Sequence, residues 1–285
     1  EMCLSLGKLG GLGILHRFMP IKNQAFGIST LKYRETDLIT AAAIGGNGDS
    51  KERFKALDKA GVNIVCIDTA NGHTDRMADM IKYCKDTNPA IDIIAGNVAT
   101  YAGAYFLKNM GADAIRIGLG SGSNCKTQVV TGCGVPTFHS LYTCHGLSEQ
   151  IPIIACGGIK NSGDIVKSLA IGANAVILGS LLAGTDETPG GLIDGCYKEY
   201  RGAASKEFQE AYYGELKTGT ASEGISRKEK CKGPVANIID ELCGGIRSGM
   251  TYLNARTIPE IKKNAEFVKI SNAGYIESTS HGEKL

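Results

Sequence analysis

The chain has 285 residues, 43% of them hydrophobic and 21% charged, and a formal net charge of +2. This is the composition of a soluble folded protein, and it provides no basic footprint for nucleic acid. No apolar run approaches the ~18 residues that span a bilayer, so no membrane partner is expected.

In chain order, a helix-like opening, "EMCLSLGKLGG", leads straight into an apolar run, "GLGIL", from Gly11. Six more such runs follow: "LITAAAIGG" from Leu38, "VNIVCIDTANG" from Val62, "IDIIAGN" from Ile91, "AIRIGLGSG" from Ala114, "IPIIACGG" from Ile151 and "AVILGS" from Ala175. Short, nearly continuous apolar runs ending in Gly, Asn or Asp predict strands buried on both faces. Between them lie stretches of helical period: Ser50 to Gly61, "TDRMADMIKYCKD", "YAGAYFLKNMGAD" and "NSGDIVKSLAIGAN". Each begins near a capping Thr, Asn, Ser or Asp. "GTDETPGG" is a loop, and residues 197–233 are polar and long for a connection, which predicts a functional flap. Within it, the basic run Arg227 to Lys232 is expected to be a solvated loop. A helix is predicted over Val235 to Leu253, and the tail from Ser271 is expected to be extended.

Strand and helix alternating in this way predict an α/β fold with a parallel sheet. The (β/α)8 TIM barrel is favoured over an open sheet because chemistry-bearing residues end nearly every strand, and no G-x-G-x-x-G follows the first strand. The expectation is one barrel catalytic domain over 1–285; a helix stands where its first strand belongs, so either that strand is absent from the given chain or the barrel closes unusually.

Ten cysteines occur, none in a Cys-x-x-Cys pair and none grouped with His at zinc-ligand spacing. This predicts mostly packed thiols in a reducing, cytoplasmic setting. One cysteine differs in setting. "GLGSGSNCKT" (Gly118 to Thr127) leaves a predicted strand and presents Cys125 after three glycines and two serines. The stretch reads as a phosphate cradle, a linker, or a loop that presents a thiol. Gly157–Gly158 and Gly179–Ser180, at the ends of two late strands, together favour a phosphate site. Asp68 ends a strand, where it either accepts ribose hydroxyls or caps the next turn.

Taken together, "GGLGILHRFMPI", "AAAIG", "KERFKALDKAGVNIVCIDTANGH", "IIAGNVAT", "GADAIRIGLGSGSNCKT", "GSLLAGTDETPG" and "EYRG" resemble the inosine-monophosphate dehydrogenase and guanosine-monophosphate reductase family over nearly the whole chain. The resemblance implies a purine mononucleotide substrate, a nicotinamide cofactor and a homotetramer. It implies that the thiolate of Cys125 attacks C2 of the purine to form a covalent intermediate. A reductase then expels ammonia and takes hydride from NADPH; a dehydrogenase gives hydride to NAD and hydrolyses the adduct. In the flap, "KEFQEAYYGELKTGTASEG" lacks the Arg-Tyr pair of dehydrogenases, and "ASEG" (Ala221 to Gly224) resembles the reductase motif. "GGIRSGMTY" (Gly244 to Tyr252) is also closer to reductase usage, and no regulatory (CBS) insert separates "HRFMPI" from "AAAIG". This implies Glu223, with Thr127, as the group that assists ammonia release. "AAAIG" and "GSLLAGTDETPG" are more dehydrogenase-like, which keeps that activity as the alternative, with a nucleotide-binding regulator as a second.

The resemblance further implies phosphate contacts at Ser123, Gly158, Gly179, Ser180 and Tyr200, with Gly157 and Gly224 beside the substrate. It implies a nicotinamide site lined by Asp68, Asn71 and Gly118, and a potassium loop of the carbonyls of Gly120, Gly122 and Cys125. Two departures stand out. Cys156 occupies a position where members carry an aspartate that holds the ribose hydroxyls, and Ala203–Ala204 follow "YRG" where members have Met or Gly and then Ser. A thiol is a weak donor and poor acceptor, so weak discrimination against 2′-deoxynucleotides is expected.

Overall fold

The computed structural model describes residues 1–214, 219 and 221–280. Helix α1 (Met2–Lys8) precedes β1 (Ile14–Leu15), α2 (Ile21–Arg34) and β2 (Ala41–Ile44). Then come α3 (Ser50–Lys59), β3 (Ile64–Asp68), α4 (Asp75–Thr87), β4 (Asp92–Val98), α5 (Tyr101–Asn109) and β5 (Ala114–Ile117). Two helices, α6 (Thr127–Thr131) and α7 (Thr137–Cys144), separate β5 from β6 (Ile153–Cys156), which is followed by α8 (Ser162–Ala170) and β7 (Ala175–Ile177). All seven predicted strands form, in a parallel sheet whose spatial order is the chain order. The residues between β1 and β2 make a single helix, with no inserted domain.

The side-chain period of two sorts the strands into an inner and an outer layer. Ala43, Cys66 and Ile94 pack with Ile14, Ala114 and Ile154 in one buried cluster. Their alternates Ala42, Ile44, Val65, Ile67, Ile93, Ile115 and Ile153 join Phe54, Leu57, Met77, Ile81 and Leu107 of the helices in another. A sequentially ordered parallel sheet with a separate inner cluster and helices outside is a TIM-barrel-like arrangement, with seven strands in that sheet among the described residues. The helix caps behave as their chemistry requires. Thr74, Thr100 and Asn161 side chains accept from Met77, Gly103 and Asp164 N–H groups at the starts of α4, α5 and α8.

Beyond β7 the structure departs from expectation. Residues 227–230 of the basic run lie in β9 (Ser226–Lys230), paired antiparallel with β8 (Tyr197–Arg201), not in a solvated loop. Its charges are matched locally, Arg227 to Glu229 at 2.6 Å and Lys228 to Asp194 at 2.7 Å. Helix α9 (Lys206–Tyr213) follows β8, and part of the flap sequence compared above, 215–218 and 220, lies outside the described residues. The predicted C-terminal helix is α10 (Val235–Tyr252), followed by α11 (Ile258–Asn264). The tail from Ser271 is not wholly extended: α12 (Asn272–Glu277) forms, with Ser271 Oγ accepting from Gly274 N. Among the described residues no helix is long and apolar enough to cross a membrane.

Candidate active site

The strand ends meet at one mouth of the barrel. Gly118, which follows β5, has φ +140°, and a Cβ there would lie 1.9 Å from the Cys156 carbonyl oxygen, so only glycine fits. Asn97 Nδ2 donates to the Gly118 carbonyl at 2.6 Å. A Cβ on Gly157 would lie 2.7 Å from Ser121 Oγ, which shows how closely the cysteine loop rests on the turn after β6. Thr137 Oγ1 ties the two together, 2.6 Å from Ser121 Oγ and donating to the Gly157 carbonyl at 3.0 Å.

The segment after α9 closes on this loop from the other side. Lys126 N donates to the Glu223 carbonyl at 2.6 Å and Ile225 N to the Asn124 carbonyl at 3.0 Å, around a bridge between Cys125 and Gly224. Asn124 is buried, and its Nδ2 donates to the Tyr200 carbonyl at 3.3 Å. Gly224 must be glycine for packing reasons, since a Cβ would lie 2.9 Å from Ser205 N. These backbone contacts deliver a side-chain chain. The exposed Cys125 thiol donates to Thr127 Oγ1 at 3.1 Å, and the Thr127 hydroxyl donates to Glu223 Oε2 at 2.7 Å.

A second cluster lies inside the mouth. Arg116 Nη1 donates to Asp68 Oδ1 at 2.8 Å and to Cys66 Sγ at 3.2 Å, and Nη2 reaches Cys156 Sγ at 3.5 Å. Burial pushes the Cys66 thiol pKa up, with the Arg116 charge pulling it partly back. Arg116 was not legible as a site residue, because in "AIRIG" it looks like an outward polar interruption of a strand. The signal was the alternation itself: Ile115 and Ile117 face the helices, so Arg116 must face the interior.

Comparison with known proteins agrees with this architecture. The family model "IMP dehydrogenase / GMP reductase domain" matches residues 1–281. The chain belongs to that family. It is 44% identical over 259 residues to an inosine-5′-monophosphate dehydrogenase of Aquifex aeolicus, covering 87% of this chain and 53% of that protein. A second such enzyme, from Chlorobaculum parvum, is 38% identical over 296 residues, covering 99% of this chain and 60% of the relative. A crystal structure of a GMP reductase variant from Trypanosoma brucei, in complex with guanosine 5′-monophosphate, superimposes with a TM-score of 0.82 at 37% identity. That match covers 89% of this chain and 56% of the other. The chain thus spans about half the length of the relatives it matches.

Placed on the family fold, the expected site residues fall into groups. Cys125, Thr127 and Glu223 are in contact, as described. Tyr200 lies on Gly179, where a Cβ would come within 3.1 Å of its hydroxyl; Ser180 gives its carbonyl to Lys232 Nζ at 3.0 Å. Gly157 and Gly158 line a cavity of about 130 Å³ with Thr137, Lys167 and Ser168, and Ser123 is exposed on the rim of the cysteine loop. Asp68 and Asn71 line a larger cavity of about 270 Å³ with Arg17, Asn47, Thr74 and Arg76. Gly118 is not among its lining residues, being buried beneath the Cys156 carbonyl. Asp68 neither caps a turn nor stands free; it is the counter-ion of Arg116. Arg17 lines the larger cavity, and its buried Nε atom has no acceptor among the described residues; a nicotinamide cofactor, rich in phosphate and amide oxygens, would supply one. Of the three carbonyls expected around potassium, that of Gly122 already accepts from Cys125 N at 2.9 Å.

Proposed function

We propose that this chain carries the catalytic site of a GMP reductase, converting GMP or dGMP with NADPH to IMP or dIMP and ammonia. The observation behind it is the unbroken line Cys125–Thr127–Glu223. Its donors all point toward the carboxylate, so the thiol proton has a path through the Thr127 hydroxyl to Glu223. The thiolate of Cys125 adds to C2 of the purine, and the Glu223–Thr127 pair returns the proton to the departing amino group, which leaves as ammonia. The purine stays attached through sulfur as a thioimidate. The cofactor, when bound, supplies the hydride for C2. Asp68 borders the cavity that would hold the nicotinamide, and Arg116 fixes the Asp68 carboxylate by an ion pair. The site takes its phosphate at Gly157–Gly158, Gly179–Ser180, Ser123 and Tyr200. Potassium on the Gly120, Gly122 and Cys125 carbonyls and assembly as a tetramer complete the proposal.

A second reading, IMP dehydrogenase using NAD, is favoured by the named activity of the curated relatives at 38–44% identity. Incubation with GMP and NADPH, following loss of the reduced-nicotinamide absorbance and release of ammonia, separates the two. Oxidation of NADPH that is abolished in Cys125→Ala is the expected result. NADH formation from IMP and NAD, with GMP inert, assigns the dehydrogenase instead. Tight nucleotide binding with neither activity assigns a regulator.

A further inference from the structure

The β8–β9 ladder ends with the pair Tyr197 and Lys230. One step further, Cys231 N donates to the Cys196 carbonyl at 2.8 Å, which sets two cysteines opposite each other at the base of the hairpin. Directly opposed residues on an antiparallel ladder share a face, with Cα atoms roughly 4.5–5.5 Å apart, and a disulfide needs roughly 4.4–6.8 Å. The backbone on both sides is held. Cys196 N donates to the Ile193 carbonyl at 3.3 Å across a turn whose Asp194 and Gly195 have φ 51° and 72°. Lys232 N donates to the Gly184 carbonyl at 3.0 Å. Cys196 is exposed, Cys231 is half-buried, and both are free thiols. Cys66 and Cys156, which also share a neighbourhood, are instead separated by the guanidinium that both contact.

We propose that Cys196 and Cys231 form a reversible dithiol–disulfide site that exchanges with low-molecular-weight disulfides such as oxidised glutathione. The Cys196 thiolate attacks one glutathione sulfur, forming a mixed disulfide and releasing one glutathione thiolate. The Cys231 thiolate then attacks the Cys196 sulfur, forming the internal disulfide and releasing the second. Two protein thiols are oxidised, one glutathione disulfide is reduced to two thiols, and the two protons pass to the released thiolates. The bond closes a loop over 197–230, which contains the whole hairpin, Tyr200 and Glu223. This site is independent of which reaction the protein catalyses.

The test uses the full chain as Cys125→Ser, so that the exposed nucleophile does not compete. After incubation with oxidised glutathione and blocking of the remaining thiols, peptides are mapped by mass spectrometry. The expected result is a peptide pair joined through Cys196 and Cys231, lost on treatment with dithiothreitol, and a free-thiol titre in denaturant lowered by two. In Cys196→Ser the joined pair is absent and Cys231 retains any glutathione it acquires. Glutathione accumulating on Cys196 without pairing, pairing of Cys196 with a different cysteine, or no reaction at either residue overturns the proposal.

Discussion

Cys156 ends β6 with its sulfur 3.5 Å from Arg116, at a position where the family resemblance implies an aspartate. A carboxylate there would gain the guanidinium as a partner and offer two strong acceptors to a ribose diol; a thiol offers one weak acceptor. We expect wild-type rates on GMP and dGMP to be similar. Cys156→Asp should raise the preference for GMP by roughly ten- to a hundredfold, the equivalent of one charged hydrogen bond of ~1.5–3 kcal/mol. Competition between the two nucleotides measures it; an unchanged ratio would show that other groups hold the ribose. The relay makes a separate prediction at the same scale. Glu223→Gln keeps the shape but not the proton acceptor, so kcat should fall by about 10²–10⁴ with little change in nucleotide KM. Alkylation of Cys125 by iodoacetamide should slow in the same variant. Equal losses in kcat and substrate binding would mean that Glu223 only supports the fold.

At the scale of elements, the hairpin is anchored by a buried lysine. Lys198 Nζ donates to the carbonyls of Thr185, Asp186 and Thr188 at 3.0, 2.9 and 2.6 Å, pinning β8 to the loop after β7. Lys198→Met keeps the aliphatic stem but removes the ammonium from three carbonyls, of which that of Thr185 keeps the Thr188 N–H. We expect a loss of about 1–3 kcal/mol in urea unfolding and a raised nucleotide KM, because Tyr200 is on the same strand. Unchanged stability would mean that water replaces the ammonium. This anchor also shows where sequence reasoning fails. The seven barrel strands were legible because each is an apolar run that repeats the same chemistry. In the hairpin, Tyr197–Arg201 and Ser226–Lys230 carry mostly charged and polar side chains, and each strand's partner lies 25 or more residues away. No local period marks such a pairing. The α12 turn is marked in the sequence by only a single serine cap, too short a signal against a polar tail.

Across the whole molecule, helix α10 seats the C-terminal part of the chain on α8 through a glycine face. A Cβ at Gly245 would lie 2.0 Å from Ser162 Oγ and 2.4 Å from its Cβ. Alanine is the better helix former by about 1 kcal/mol, yet a clash with a neighbouring Cβ cannot be relieved by a rotamer change. Gly245→Ala should therefore destabilise the protein by roughly 1–3 kcal/mol despite its propensity gain, as read from the urea midpoint. A higher midpoint would show that α8 yields at no cost. The candidate site was legible one motif at a time: Cys125, Thr127 and Glu223 could be named from resemblance. That they touch could not be read, because 96 residues separate Thr127 from Glu223 and only the fold brings them within 2.7 Å. Arg116, which joins the two halves of the mouth, was hidden by its position within an apolar strand. The bridge between Cys125 and Gly224 has one more consequence. The proposed nucleophile, Cys125, and the proposed proton acceptor, Glu223, are carried by different segments, joined mainly by backbone contacts on either side of that bridge. Any event that lifts the second segment takes Glu223 away from the Thr127 hydroxyl and breaks the path that leads from the thiol. The rate at which an electrophile labels Cys125 is therefore a census of how many molecules are assembled for chemistry, readable without substrate or turnover.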